Sequence, residues 1–258
     1  MIEYAVSPSA ARRCGVFLVL AFLGLHAFAD PYPPHTVAER VATEFARCKH
    51  FFPAGLPPIV PKAPMQRELC FDSFAVLHSG ETKTPVFVVE HLDRFTLRQG
   101  RRVRRSDHFY AEGRLPSEER AEVDDYRNSG YSRGHMAPAG DMGSEEGKAQ
   151  SFSLANMAPQ DVELNNGAWN DIEQDTRKYV QRAQAGVYIF TGPVYSQTAH
   201  TIGYSGVQVP QYFYKLVYDP SNGNSWAHWQ ANEPRRKVGA PITYDELVRR
   251  TGIEFVPR

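Results

Sequence analysis

The segment Ser-Arg-Gly-His-Met-Ala-Pro at residues 132–138 constrains this chain more than any other part of its 258 residues. It places His135 next to Arg133, on a backbone that Gly134 allows to approach a ligand closely or to take a positive φ. An unperturbed histidine has a pKa of about 6.5, so much of it is neutral near pH 7 and can accept a proton from water beside an anion. On its own the tripeptide favours a structural or exposed histidine, because the chain contains nine histidines.

A second block, residues 156–177, carries the complementary chemistry. Asn156, Asn165 and Glu173 have amide and carboxylate oxygens, the hard ligands that Mg²⁺ prefers. A helix is predicted from Asn165 through residue 180, and on it Asn165 and Glu173 lie about 80° apart, so they can border one site. Two simpler interpretations stay open: Glu173 and Arg177 have the i,i+4 spacing of a surface salt bridge, and Asn165 equally fits a helix cap.

Together the two blocks resemble, in order and spacing, the signature of the DNA/RNA non-specific endonucleases. That family includes secreted bacterial nucleases and mitochondrial endonuclease G. The resemblance covers residues 71–255 and implies a ββα-metal (His-Me finger) nuclease fold, with a central, mainly antiparallel sheet flanked by helices. The predicted strands and helices mix without strict βαβ alternation, which independently indicates the α+β class.

The resemblance also implies a role for each residue of the two blocks. His135 would be the general base that activates water, and Asn165 would be the protein ligand of Mg²⁺, for which Mn²⁺ could substitute. Glu173 would hold a metal-bound water. Asn156 would orient His135 or the metal-bound waters.

Arginines complete the site that the resemblance implies. Arg133 and Arg177 would bind or neutralise the scissile phosphate. An arginine from the irregular segment before residue 130 also belongs in such sites, and here Arg105 is the first candidate and Arg104 the second. One position departs from the signature, since Ser132 stands where the family has aspartate, and a serine is a weaker, neutral hydrogen-bond partner.

The expected reaction is Mg²⁺-dependent hydrolysis of DNA and RNA that leaves 5′-phosphate products. Contacts limited to phosphates carry no direct sequence information, so weak specificity is expected. Two alternatives stay open: a phosphodiesterase that acts on another substrate, and a catalytically inert nucleic-acid-binding homologue, which only Ser132 favours. The preference between DNA and RNA and the oligomeric state are left open by the sequence.

The N-terminus has the pattern of a signal peptide over residues 1–29. Arg12 and Arg13 precede an apolar run at residues 14–25, which is shorter than the roughly 20 residues that span a bilayer, and Ala-Phe-Ala follows at residues 27–29. We therefore expect a secreted or periplasmic protein without stable membrane association after cleavage. Residues 30–258 would form a single nuclease domain with a helical and proline-rich N-terminal extension over residues 30–68.

Removal of this signal leaves 27 basic and 28 acidic residues, so no global positive field attracts nucleic acid. Any attraction must be local, and the arginine cluster at residues 98–105 is the candidate, with a solvated charged loop as the alternative. Removal of Cys14 leaves Cys48 and Cys70, an even count that predicts one disulfide in an exported chain rather than two buried thiols.

Hydrophobic periodicity and turn residues predict the remaining elements. The expected helices are residues 35–49, 145–152, 165–180 and one capped by Thr243 that ends before Gly252. The expected strands are residues 71–77, 85–92, 187–191, 206–209, 212–218 and 225–231. Residues 53–65 and 98–130 are expected to be loops.

Overall fold

The core of the protein is an antiparallel sheet whose strands carry apolar side chains on both faces. The computed structural model describes residues 39–104, 107–234 and 237–257. The strands in this part of the chain are β1 (Arg40–Ala42), β2 (Ile59–Pro61), β3 (Gln66–Cys70), β4 (Phe74–Ser79), β5 (Thr84–Leu92), β6 (Tyr131–His135), β7 (Met157–Asp161), β8 (Val187–Val194), β9 (Thr201–Ile202), β10 (Val207–Gln208), β11 (Tyr212–Asp219) and β12 (Asn224–Ala231). Six of them form the main sheet in the order β12-β11-β8-β5-β4-β3, and every neighbouring pair is antiparallel.

The helices of the same residues are α1 (Arg94–Gly100), α2 (Glu145–Gln150), α3 (Val162–Leu164), α4 (Asn170–Arg182) and α5 (Tyr244–Thr251). A π-helical turn, Asn165–Trp169, joins α3 to α4. None of the helices in the described ranges is long and apolar enough to cross a membrane.

Strand alternation divides the core between the two faces of the main sheet. On β4, Ala75 and Leu77 face a cluster formed with the segment before β2, with α5 and with the chain end at Phe255. Phe74 and Val76 face the opposite cluster, which holds the residues just after His135 and the helical residues that follow β7. The second face therefore carries the two motif blocks.

The motif blocks form a ββα unit on that face. Strands β6 and β7 pair antiparallel, with His135 opposite Met157, and the chain runs from β7 directly into α3, the π turn and α4. Leu164, Trp169 and Ile172 on the helical part are at most 1% exposed and pack against the sheet. The predicted α+β class, the antiparallel central sheet and the ββα arrangement are confirmed.

Side-chain caps define the starts of two predicted helices. The Ser144 side chain accepts a hydrogen bond from the Gly147 backbone N–H at the start of α2. The Thr243 side chain accepts one from the Glu246 N–H at the start of α5, and Gly252, with φ of 71°, ends that helix in the left-handed conformation that favours glycine.

The helix predicted over residues 35–49 is wrong for its described part. Strand β1 pairs with β2 there, with Val41 opposite Val60, and this strand pair also replaces part of the loop expected over residues 53–65. Phe45 has φ of 40°, and the backbone N–H groups of Glu44 and Phe45 donate to the Glu68 carboxylate. The apolar spacing that suggested a helix instead reflects Val41 and Phe45 reaching the core from an extended, turning chain.

The predicted disulfide joins Cys48 to Cys70, with the Cα atoms 5.8 Å apart. It ties the N-terminal extension to β3, across a sequence separation of 22 residues. A loop of this size contributes about 3 kcal/mol to stability in the chain-entropy account. The predicted signal peptide and residues 30–38 lie outside the described residues, and the single-domain boundary at residue 30 stays a prediction.

Candidate active site

Four of the predicted site residues line one cleft of about 350 Å³ at the junction of β6 and the helical segment. His135 comes from the end of β6, Asn165 from the π turn, and Glu173 and Arg177 from α4. The lining residues are His135, Pro138, Ala139, Gly140, Asn165, Asn166, Asn170, Glu173 and Arg177. The ββα unit thus brings the two sequence blocks together around a cleft rich in amide and charged side chains.

His135 is the last residue of β6, and aromatic rings fix its imidazole. The ring of Phe152 lies edge-on to it, with centroids 5.2 Å apart, and the Phe109 ring lies 5.9 Å away. The next peptide is also held, because the Met136 N–H donates to the Asn156 carbonyl at 3.0 Å. The imidazole is only partly exposed, towards the cleft, so it can act on a ligand there without losing its orientation.

Asn156 supports this strand end from behind rather than from within the cleft. It is fully buried, its Oδ1 accepts from the Ala137 N–H at 2.9 Å, and its Nδ2 donates to the carbonyls of Ala137 and Ser151. These three bonds direct both N–H groups and one oxygen lone pair of the amide to the backbone. Asn156 therefore holds the backbone next to His135, and its side chain does not line the cleft.

Gly134 is required by the packing of β6 on β7. A Cβ at this position would lie 2.4 Å from Oε1 of Gln160, a buried residue of β7, and the backbone φ of Gly134 is not positive. The glycine therefore allows β6 and β7 to pack closely at the strand that ends in His135. The expected positive φ is wrong, and close approach to a ligand stays a prediction.

The metal-ligand candidate, Asn165, opens the π turn. Asp161 caps the preceding helix, since its side chain accepts from the N–H groups of Glu163 and Leu164, so the alternative of Asn165 as a helix cap is wrong. Gly167 takes φ and ψ of −108° each and breaks the regular helical path. Single π turns of this kind occur frequently at functional sites, and here the turn displays Asn165 on the cleft.

Glu173 and Arg177 form a partly buried charged pair, not the surface salt bridge of the simpler interpretation. Their side chains are 14% and 21% exposed. Arg177 Nη1 donates to Oδ1 of the buried Asp141 at 2.9 Å and lies 4.0 Å from Oε2 of Glu173. Burial raises the pKa of Glu173 to about 7, and Lys215 opposes that rise. Asp141, whose role sequence reasoning missed, lies six positions after His135 and holds the arginine beside the cleft.

Two further charged residues lie buried in the sheet beneath this pair. Lys215 on β11 is 1% exposed, and its Nζ donates to Oγ1 of Thr191 at 2.7 Å and more weakly to the Met136 carbonyl at 3.4 Å. Glu90 on β5 is fully buried. Burial raises the pKa of Glu90 well above its usual range, Asp141 adds to the rise, and Lys215 opposes it. In the sequence, Glu90 stands out as a carboxylate inside the apolar run of β5.

The raised pKa of Glu90 predicts a specific dependence of stability on pH. Between the ordinary value near 4.5 and the raised folded value, the native state holds a proton that the unfolded state has released. This contribution to the free energy of unfolding is complete below pH 4.5 and falls by up to about 1.4 kcal/mol per pH unit as pH rises through that window. Glu90→Gln should flatten the fall, as measured by urea unfolding between pH 4 and 9 in metal-free buffer.

Glu81→Gln is the matched control for that measurement, because Glu81 is exposed in the turn between β4 and β5. The control should keep the wild-type slope of unfolding free energy against pH. An unchanged slope in Glu90→Gln would contradict the assignment of this titration to Glu90.

The remaining predicted residues do not line the cleft. Arg133 shares a strand face with His135 but stacks on Phe109, with its guanidinium carbon 4.8 Å from the ring centroid, and its Nη2 donates to the Val123 carbonyl. Arg104 is exposed after α1, and Arg105 lies outside the described residues. Ser132 alternates to the face of β6 opposite His135, so the departure from the signature lies away from the imidazole.

The donor set of the cleft fits a hard divalent cation. The side chains of Asn165, Asn170 and Glu173 line the cleft, and amide and carboxylate oxygens suit Mg²⁺, which keeps several water ligands. Within the described ranges, no group of three or more His, Cys, Asp and Glu side chains is arranged to hold a metal. The residues present therefore suit a cation bound by few protein oxygens and mostly by water.

Comparisons with known proteins agree with the geometry. Residues 58–258 match the family model described as DNA/RNA non-specific endonuclease. The chain is 35% identical over 161 residues to a mitochondrial nuclease EXOG of Xenopus laevis, which covers 58% of this chain and 44% of the relative. It is 33% identical over 187 residues to Nuclease C1 of Cunninghamella echinulata, which covers 67% of this chain and 73% of the relative. The chain thus spans less than half of the first relative and most of the second.

A solved structure shows the same fold. The crystal structure of an EndoG/EndoGI complex contains a chain that superposes with a TM-score of 0.70 at 23% identity, over 83% of this chain and 91% of that one. The human mitochondrial endonuclease G is 29% identical over 204 residues, which cover 72% of this chain and 68% of the relative. The family match spans the main sheet and the whole ββα unit, and this protein belongs to the DNA/RNA non-specific endonuclease family, whose members are phosphodiester hydrolases.

Proposed function

We propose that this protein is an exported, Mg²⁺-dependent endonuclease that hydrolyses phosphodiester bonds in both DNA and RNA and leaves 5′-phosphate products. The observation that carries the proposal is that four side chains line one cleft. They are the imidazole of His135, the amide of Asn165, the carboxylate of Glu173 and the guanidinium of Arg177. These are the groups that hydrolysis of a phosphodiester requires, namely a base, a cation site and a counter-charge for the phosphate. Family membership supports the reaction class.

In this proposal Asn165 would hold the cation and Glu173 would accept hydrogen bonds from its water ligands, since both line the cleft. When bound, Mg²⁺ supplies Lewis-acid stabilisation of the charge that develops on the phosphate and on the leaving 3′ oxygen. The neighbouring Asn170 amide can hold a further water. Burial of Glu173 raises its pKa and favours its neutral form, whereas a nearby cation would favour the carboxylate.

His135 takes the proton from the attacking water. The orientation of its ring is fixed by Phe152 and Phe109, and the backbone that follows is fixed by Asn156 and Lys215. Arg177 donates a hydrogen bond to Asp141, which fixes its position. Its positive charge stabilises the negative charge that develops on the phosphate oxygens as the water attacks. Each group is therefore placed by a partner that does not itself need to touch the substrate.

The polar lining of the cleft supports the proposal that both DNA and RNA are substrates. The cleft is open and lined by polar groups suited to a phosphate and its cation, while base recognition would need contacts to base edges. Export to the periplasm or the medium is proposed from the sequence pattern of residues 1–29. The disulfide between Cys48 and Cys70 accords with an oxidising compartment.

Digestion of supercoiled plasmid, single-stranded DNA and RNA by the purified protein tests the proposal. We expect all three to be cleaved with Mg²⁺, activity to vanish in EDTA, and either Mg²⁺ or Mn²⁺ to restore it. The product ends should accept label from polynucleotide kinase only after phosphatase treatment, because they carry 5′ phosphates. Binding of DNA without cleavage in any metal would instead indicate an inert homologue, and cleavage of small diesters alone would indicate another substrate.

A further inference from the structure

A groove continues from the cleft along the surface between α1 and α4. It consists of two adjoining depressions of about 260 and 330 Å³ that share Leu97, Arg101 and Gln181. Gly140 and Arg177 line both the second depression and the cleft, so the groove opens directly into the candidate active site. We call this surface the basic groove, and its polar lining residues are Arg94, Arg98, Arg101, Gln174, Lys178 and Gln181.

Three arginines project from one side of α1 into the basic groove. Arg94, Arg98 and Arg101 have the i, i+4, i+7 spacing of one helical face, and all three are exposed while Leu97 between them is buried against α4. The Asp93 carboxylate at the start of α1 accepts from the backbone N–H groups of Phe95 and Thr96.

Among the residues that the structure describes, these three arginines have no acidic partner. No carboxylate in the described part of the chain lies within ion-pair distance of Arg94, Arg98 or Arg101. This contrasts with most arginines elsewhere. Those with a carboxylate partner are Arg40, Arg67, Arg114, Arg120, Arg127, Arg177, Arg249 and Arg250. In a protein with as many acidic as basic residues, an unpaired row of arginines leading into the cleft is a local anion-binding surface.

The dimensions suit a phosphodiester backbone. Arg94 and Arg101 are seven residues apart, about 10 Å along the helix axis, which is close to the axial span of roughly four successive phosphates of one duplex strand, at a rise of about 3.4 Å each. None of the described residues that line the groove is acidic. Its guanidinium and amide groups can donate to phosphate oxygens from any sequence.

We infer that the basic groove binds the phosphodiester backbone of the nucleic acid strand on one side of the scissile phosphate. This inference rests on the proposed function and extends it, because it states where the substrate leaves the cleft. It also explains how a protein without net positive charge can hold an anionic polymer. Binding through the groove should be independent of sequence and sensitive to salt.

The test is a triple variant, Arg94→Gln, Arg98→Gln and Arg101→Gln. Its binding to a fluorescein-labelled 30-base-pair duplex is followed by anisotropy in EDTA between 50 and 300 mM NaCl. We expect the slope of log K against log salt to fall in magnitude by about 2 to 3, since each lost phosphate contact removes about 0.9. With Mg²⁺, the loss on plasmid DNA should appear as a higher KM rather than a lower kcat.

A control triple variant, Arg47→Gln, Lys49→Gln and Lys62→Gln, makes the same change of net charge at exposed positions in the N-terminal extension. It should retain the wild-type salt slope and KM. Equal losses in both triple variants, or an unchanged slope in the groove variant, would overturn the inference. If the wild type bound the duplex with the expected slope but cleaved no nucleic acid in any metal, the proposed function would fail while the groove assignment stood.

Discussion

His135→Ala should lower kcat/KM on plasmid DNA by about 10³-fold, within the range of 10² to 10⁴ that a general base contributes. The reason is local. His135 is the only histidine that lines the cleft among the described residues, and its ring is fixed between Phe109 and Phe152 at the end of β6. The measurement is the initial rate of plasmid nicking at saturating Mg²⁺, across pH 5 to 9.

The fold of this variant should persist, because the strand end is held by Asn156 through backbone hydrogen bonds that do not involve the imidazole. Thermal unfolding of both proteins checks this. Added imidazole should restore part of the rate, and the restored rate should follow the fraction of neutral imidazole as pH rises. His50→Ala is the matched control, since His50 is exposed in the N-terminal extension and outside the cleft. Normal cleavage by His135→Ala would refute the site assignment.

Much of the site could be predicted because its chemistry is encoded locally. The general-base and metal-ligand candidates each lie in a short block of residues, although β6, which ends at His135, is not among the predicted strands, and the helical path begins at Val162, before the predicted start at Asn165. Capping residues fixed the ends of α2 and α5, and alternation fixed most strands of the main sheet. In each case the information lies within a few residues of the feature.

What could not be predicted depends on distant parts of the chain. Asn156 looks like a site residue from its place in the motif, yet its three partners are backbone groups brought together by the β6–β7 pair. Glu90 and Lys215 come from strands separated by β8, and only the folded sheet puts them beneath Glu173.

The helix wrongly predicted over residues 35–49 has the same origin as these misses. Its apolar spacing fits a helix, but two tertiary contacts decide the conformation. Strand β1 pairs with β2, and the backbone N–H groups of Glu44 and Phe45 donate hydrogen bonds to the Glu68 carboxylate. Tertiary partners overrode the local propensity, which is weak for a short segment.

Asn165→Ala is the second variant with a large expected effect, and it tests the metal rather than the base. If Asn165 is the protein ligand of the cation, its loss should weaken Mn²⁺ binding by at least about tenfold and lower DNA cleavage at fixed Mg²⁺ on the order of 10²-fold, since the ion supplies several kcal/mol of charge stabilisation. Mn²⁺ binding is measured by electron paramagnetic resonance without nucleic acid, so that it is independent of catalysis.

Two further variants separate ligation from a structural role in the π turn. Asn165→Asp keeps an oxygen at the same position and should bind Mn²⁺ at least as tightly as the wild type, because the new charge favours a cation. Asn166→Ala changes the adjacent amide, whose Nδ2 already donates to the Val162 carbonyl, and should leave the affinity within about threefold of the wild type. If Asn165→Ala bound Mn²⁺ as the wild type does, or if the aspartate variant lost binding together with alanine, the cation would have to be held elsewhere. Glu173 would then no longer be the residue that holds its water ligands. The metal and His135 assignments therefore stand or fall on separate measurements, although both side chains reach the cleft through the same ββα unit.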